Sequence, residues 1–333
     1  MVTSAELPEW LRRIYPFEPK SLLCGTARLS YVDEGPRADE AVLLVHGNPT
    51  WSFYYRKLIG QLTAAGLRCV APDHIGMGLS DKPQDYPYRL ATHIENLERL
   101  VATLGVRRVH LVVHDWGGAI GFGWAGRHPE MIGRIVILNT AAFPSTRIPF
   151  RISLCRAPLV GEALVRGLNG FAGPATWMAV KRQPLTADVK RGYLFPYDSW
   201  ANRVAVARFV ADIPMQPGHP TMPVLKQVEA GLAQFQSHPI SIVWGGADFC
   251  FNDMFFDRWR AIYPQAQPRY LPDAGHYVLE DLTPDELAGI TTFIRGISHR
   301  GRAAIKVEGA APSAPINPLA VTAHRPPTKS SQT

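Results

Sequence analysis

The chain has 333 residues, of which 46% are hydrophobic and 19% charged, enough apolar material for one sizeable domain with an insertion. Its net charge of +7 is unevenly placed: from Ser298 onward Arg300, Arg302, Lys306, Arg325 and Lys329 face only Glu308, a local excess of +4 in a proline-bearing stretch. More than half of the excess therefore lies outside the body, which argues against a nucleic-acid partner, and no run of apolar residues is long enough to predict a membrane span.

In chain order, Met1 to Phe17 carries Glu6, Glu9, Arg12 and Arg13 and has no signal-peptide core, which predicts a cytoplasmic protein. Residues 22–33 read as a hairpin. Strands are expected at Ala41–Val45, Cys69–Ala71, Val109–Val113, Ile135–Leu138 and Ile240–Trp244, all but the second nearly continuously apolar, as parallel strands covered on both faces are. Between them, Tyr55, Leu58 and Leu62, and then Ile94, Leu97, Val101 and Leu104, recur at helical spacing. The alternation predicts an α/β fold, a mostly parallel doubly wound sheet with its functional loops at the strand C-termini.

The alternation breaks between Ala141 and Pro239, where helical stripes such as Leu159, Val160, Leu164, Val165 and Leu168 appear without a convincing strand. Residues 141–237 are thus expected to form a helical cap inserted into a core made of 1–140 and 238–298. Phe171, Trp177, Phe195 and Trp200 are its candidate pocket residues. A helix is expected from Thr283 to Ile297, and residues 299–333 read as a disordered tail. Cys24, Cys69, Cys155 and Cys250 are scattered without CxxC spacing, so neither a disulfide framework nor a metal site is expected.

The chemistry is concentrated where a strand runs into glycines, at Val112-Val113-His114-Asp115-Trp116-Gly117-Gly118. This has the form of a nucleophile elbow, a corner so tight that only small residues fit beside the nucleophile. The glycine usual two positions before the nucleophile is Val113 here. A carboxylate with an ordinary pKa near ~4 is already ionised at neutral pH and attacks carbon without a base; serine cannot.

After the earlier strand comes His46-Gly47-Asn48-Pro49-Thr50-Trp51. In this architecture the backbone N–H groups of Asn48 and Trp116 are expected to form an anion hole, with the Asn48 amide and the Trp116 indole pointing into the same cavity. The base is expected late in the chain, at His276 in Asp273-Ala274-Gly275-His276-Tyr277. Asp248, following the strand Ile240–Trp244, is the expected orienting acid. Asn139 is the alternative position, but an amide there cannot stabilise an imidazolium as a carboxylate can.

These segments, together with Asp73-His74-Ile75-Gly76-Met77-Gly78-Leu79-Ser80-Asp81-Lys82-Pro83, resemble the haloalkane dehalogenase family of α/β-hydrolases over about residues 20–297. Residues 139–156 and 192–203 resemble most the branch that acts in bacterial long-chain olefin biosynthesis. That resemblance implies decarboxylation of cis-3,4-dialkyl β-lactones to cis-alkenes without a cofactor. It also implies a β-lactone synthetase and a ketone reductase as upstream partners in a multi-enzyme assembly.

The alternative is hydrolysis of a haloalkane, in which Asp115 displaces halide, Asn48 and Trp116 hold it, and His276 activates water on the alkyl ester. Epoxide hydrolysis would need acidic donors from the cap, for which Tyr193 and Tyr197 are the candidates. A receptor or scaffold role would need no intact set of Asp115, His276 and Asp248.

Overall fold

The structure is a computed structural model that describes residues 6–297; the expected disordered tail lies outside the described residues. Eight strands form one sheet: β1 (Lys20–Cys24), β2 (Ala27–Glu34), β3 (Glu40–Val45), β4 (Cys69–Pro72), β5 (Arg108–Asp115), β6 (Ile132–Thr140), β7 (Ile240–Gly245) and β8 (Gln267–Leu271). Their order is β1-β2-β4-β3-β5-β6-β7-β8. The hairpin β1–β2 pairs antiparallel and joins β4 antiparallel, and every other pairing is parallel.

Two cores explain the continuous apolar runs. Val42, Leu44, Val112, Val136 and Val243 pack on one face with Leu58, Leu62, Leu287 and Ile290, whereas Leu43, Val45, Leu111, Val113, Ile135 and Ile242 pack on the other with Leu97, Val101, Ile120 and Trp259. Successive side chains point to opposite faces of a strand, so a strand buried on both sides is apolar at most positions in its centre.

The strand β8 is visible in sequence only as Tyr270-Leu271. It lies at the sheet edge, where Gln267, Pro268 and Arg269 break the apolar pattern. The last helix runs Pro284–Ile294, shorter than the expected 283–297. It begins at Thr283, whose hydroxyl accepts the Glu286 N–H while the Glu286 carboxylate accepts the Thr283 N–H.

Among the described residues no strand falls between β6 and β7, and the regular elements of the connection are all helices or helical turns. It divides by packing, however. Ile152, Cys155, Val165, Ala172, Tyr197, Val206 and Val210 form a small core of their own, while Leu225, Val228, Leu232 and Phe235 join the main core. The helix Met222–Gly231 packs on Leu90–Leu104 and Trp116–Ala125. Phe143, Val204, Ala205 and Phe209 join the main core as well, so the packing of this connection follows no single boundary along the chain.

Candidate active site

Asp115 ends β5 and begins the helix Trp116–Ala125 with φ 52° and ψ −129°, a left-handed conformation unfavourable to a residue with a Cβ. The neighbours make room for it. A Cβ on Gly47 would sit 2.0 Å from the Asp115 Oδ1, and one on Gly117 would sit 1.9 Å from the Val45 carbonyl oxygen. Val113, the departure from the usual glycine, is accommodated from the helix side, where a Cβ on Gly121 would fall 2.7 Å from its Cγ1. The Thr140 hydroxyl donates to the Asp115 carbonyl and holds the turn.

The Asp115 carboxylate is oriented by backbone. Its Oδ1 accepts the Asn48 N–H at 2.6 Å, and the Trp116 N–H also bonds the carboxylate. The two N–H groups expected to form the anion hole thus hold the carboxylate itself, and Oδ2 is the oxygen on the His276 side. Burial pushes the Asp115 carboxyl above its ordinary pKa, against the opposing pull of His276 and the two N–H groups.

His276 follows β8 and stands with Nε2 3.7 Å from Asp115 Oδ2, too far for a hydrogen bond. Its Nδ1 is 2.8 Å from Asp248 Oδ2. Asp248 comes from the loop after β7 and is fixed through Oδ1 by the Cys250 N–H at 2.6 Å. Burial would lower the His276 pKa, but the Asp248 and Asp115 charges outweigh it and raise the pKa. Asn139 serves elsewhere, exchanging hydrogen bonds with the backbone of Gly245 at 2.8 and 2.9 Å and so tying β6 to β7.

The Asn48 side chain gives one N–H to the Val206 carbonyl at 3.1 Å, so only the other is left for a ligand. The Trp116 indole N–H makes no hydrogen bond among the described residues, and its ring packs edge-on against Phe209 at 5.6 Å. Asn48, Asp115, Trp116 and His276 all line one cavity of about 440 Å³ whose remaining wall is mainly apolar.

Of the four expected cap residues, Phe171 and Trp177 line this cavity. Phe195 and Trp200 do not, and that expectation is corrected. Phe195 packs on Trp10 and Trp200 stacks on the Arg166 guanidinium. Tyr193 and Tyr197 do not reach the cavity either: their hydroxyls donate to Glu280 at 2.6 Å and to the Thr50 carbonyl at 3.4 Å. The donors that epoxide opening requires are thus spent on structure.

Three groups escape sequence reasoning. Phe251 stacks on the His276 ring at 5.7 Å, and Phe249 lies 6.2 Å from it. His114 packs between Tyr54 and His276 at 4.4 and 4.6 Å, with Nε2 2.8 Å from the His276 carbonyl oxygen. Burial, and then the nearby His276, keep its pKa far below an ordinary imidazole, so it donates as a neutral ring. The one available signal is proximity in sequence, since Phe249 and His114 directly flank Asp248 and Asp115 and Phe251 follows Asp248 by three residues. Among the described residues no cluster of three or more His, Cys, Asp or Glu is placed to hold a metal ion.

Residues 40–150 match the model of the alpha/beta hydrolase fold family. Over 290 residues the chain is 44% identical to a cis-3-alkyl-4-alkyloxetan-2-one decarboxylase of Shewanella oneidensis, covering 85% of this chain and 90% of that one. It is 31% identical over 282 residues to haloalkane dehalogenase 2 of Mycobacterium bovis, covering 83% of this chain and 94% of the relative. Among solved structures, haloalkane dehalogenase DbeA from Bradyrhizobium elkani superposes with a TM-score of 0.77 at 24% identity over 84% of this chain and 98% of that one, a likeness of fold. The chain belongs to the α/β-hydrolase family that contains the cis-3-alkyl-4-alkyloxetan-2-one decarboxylases and the haloalkane dehalogenases.

Proposed function

We propose that this chain decarboxylates cis-3-alkyl-4-alkyl β-lactones to cis-alkenes and CO₂, with Asp115 as nucleophile. The observation that carries the reading is a carboxylate held on two backbone N–H groups at the floor of an apolar cavity, in a chain 44% identical to a relative bearing that name. Attack of Asp115 Oδ2 on the ring carbon that bears oxygen breaks that C–O bond, inverts the carbon and leaves an alkyl ester beside a free carboxylate. The electron pair of the bond to that carboxylate then forms the alkene, CO₂ departs, and Asp115 leaves with its original oxygens.

Inversion followed by anti elimination is a net syn loss, so both alkyl groups stay on one side and the alkene is cis. No water is consumed and no proton is transferred. The Trp116 indole N–H and the free Asn48 N–H would hold the oxygens of the opened ring, and the His276 imidazolium would stabilise Asp115 as it attacks and leaves. Asp248 acts through His276 by fixing its ring. On this reading the enzyme works in the cytoplasm, downstream of the β-lactone synthetase and ketone reductase that the family resemblance implies.

The test is product analysis in ¹⁸O-labelled water, with a cis-dialkyl β-lactone beside a terminal haloalkane. One alkene per lactone and no label in Asp115 are expected. Rapid halide release, label in the Asp115 carboxylate and no alkene would establish the hydrolytic dehalogenase instead.

A further inference from the structure

Twelve large hydrophobic side chains are exposed among the described residues, and half of them fall between Phe150 and Trp177. Phe150 is 81% exposed, Trp177 63% and Leu154 43%, yet all three also line the cavity that contains Asp115, so they form its mouth. Exposed apolar groups gathered at one opening mark a contact surface, whereas single ones need no explanation.

The turn after the helix Phe150–Arg156 extends this surface. Leu159 is 85% exposed and has φ 63°, a strained conformation for leucine, and Val160 beside it is 57% exposed. The turn is fixed from beneath: a Cβ on Gly161 would sit 2.2 Å from the Cys155 carbonyl oxygen. Strain is thus retained in a backbone that displays two aliphatic side chains to water.

The charge along residues 141–161 is positive, and the nearest acid in the chain, Glu162, is paired with Arg166. Residues 141–161 contain Arg147, Arg151 and Arg156 and no acidic residue. Arg147 and Arg151 lie with their guanidinium groups 3.2 and 3.3 Å from the sulfurs of Met254 and Met178, and none of the three arginines forms an ion pair among the described residues. Apolar tips surrounded by uncompensated cations complement a sheet of phosphate anions over hydrocarbon.

We infer that this face docks on an anionic phospholipid surface, with Phe150, Leu159, Val160 and Trp177 at the headgroup boundary and the cavity mouth turned toward the bilayer. An apolar ligand then passes between membrane and Asp115 without crossing water. The inference concerns how such a ligand arrives and does not depend on which bond the enzyme breaks.

The experiment is sedimentation of the full chain with vesicles of phosphatidylcholine alone and of phosphatidylcholine mixed with phosphatidylglycerol, comparing wild type with the double variant Leu159→Ser/Val160→Ser. Neither residue lines the cavity. The expected result is partition onto the anionic vesicles that weakens with salt and falls on the order of tenfold or more in the variant. Melting temperature and turnover of a water-dispersed short-chain substrate should be unchanged. Absence of partition onto either vesicle would overturn the inference. So would equal partition of both proteins, which would assign binding to the C-terminal cations, or a self-association abolished by the variant, which would assign the face to a second copy.

Discussion

The Trp116 side chain is the most informative single residue after Asp115. Its backbone N–H is committed to the Asp115 carboxylate, while its indole N–H, on a residue that lines the cavity, has no hydrogen-bond partner among the described residues. Trp116→Phe keeps the ring packed against Phe209 and removes that donor alone. Loss of one anion-hole donor in comparable sites costs on the order of 10²- to 10³-fold in kcat. Steady-state alkene formation should show this drop with an unchanged melting temperature.

On the proposed reaction, the pair Asp115 and His276 sets the pH profile. Decarboxylation by nucleophilic ring opening needs Asp115 ionised and His276 protonated. Burial pushes the Asp115 carboxyl up, so the acidic limb should lie above the ordinary carboxylate range, with activity rising as the proton leaves. His276 is raised by Asp248 and Asp115 in spite of burial, so activity should fall only above the ordinary imidazole range. The two limbs belong to the coupled pair. A hydrolytic reaction requires neutral His276, and its rate would instead keep rising through that upper limb; kcat measured against pH distinguishes the two.

At the scale of elements, the short helix Val278–Asp281 joins the helical insertion to the core just beyond the His276 loop. Glu280 meets Arg56 at 2.5 and 3.0 Å, Lys57 at 2.8 Å and the insertion's Tyr193 at 2.6 Å. Asp281 accepts the N–H groups of Lys181 and Arg182 from the insertion and that of Gly275 beside His276. Burial would raise the Glu280 pKa, but Arg56 and Lys57 outweigh it and lower the carboxyl to about 2.

A lowered carboxylate stabilises the fold above its unfolded pKa and loses that contribution as pH falls through the folded value. The Glu280 contribution should therefore disappear between about pH 4.5 and 2. Glu280→Gln leaves Arg56 buried without its charge partner and should destabilise by roughly 3–5 kcal/mol at neutral pH, with the difference from wild type shrinking in acid. Denaturant unfolding at two pH values measures both.

Across the whole molecule, the fold is legible in the sequence because burial on both faces gives strands a continuous apolar centre, as at Ala41–Val45 in β3, Leu111–Val113 in β5, Ile135–Leu138 in β6 and Ile242–Trp244 in β7. The edge strand β8, with Pro268 and Arg269, carries no such signature. Asp115, His276 and Asp248 can be placed because an elbow and two strand-end loops fix their positions along the chain, and the structure brings them together at one site. The cap pocket is not legible. Phe171, Trp177, Phe195 and Trp200 are alike as aromatic residues of a helical segment, and only tertiary packing sends two of them to the cavity and two elsewhere. The partial diversion of the Asn48 amide to Val206 likewise depends on a contact 158 residues away.

The most direct test is rapid-quench mass spectrometry of the protein during turnover of a cis-dialkyl β-lactone. Ring opening adds the substrate and expels nothing, so a transient adduct equal to the whole lactone mass should appear on the peptide containing Asp115 and decay as alkene forms. An adduct on another residue, or full alkene production by Asp115→Asn that has not reverted to Asp, would contradict nucleophilic catalysis by this carboxylate.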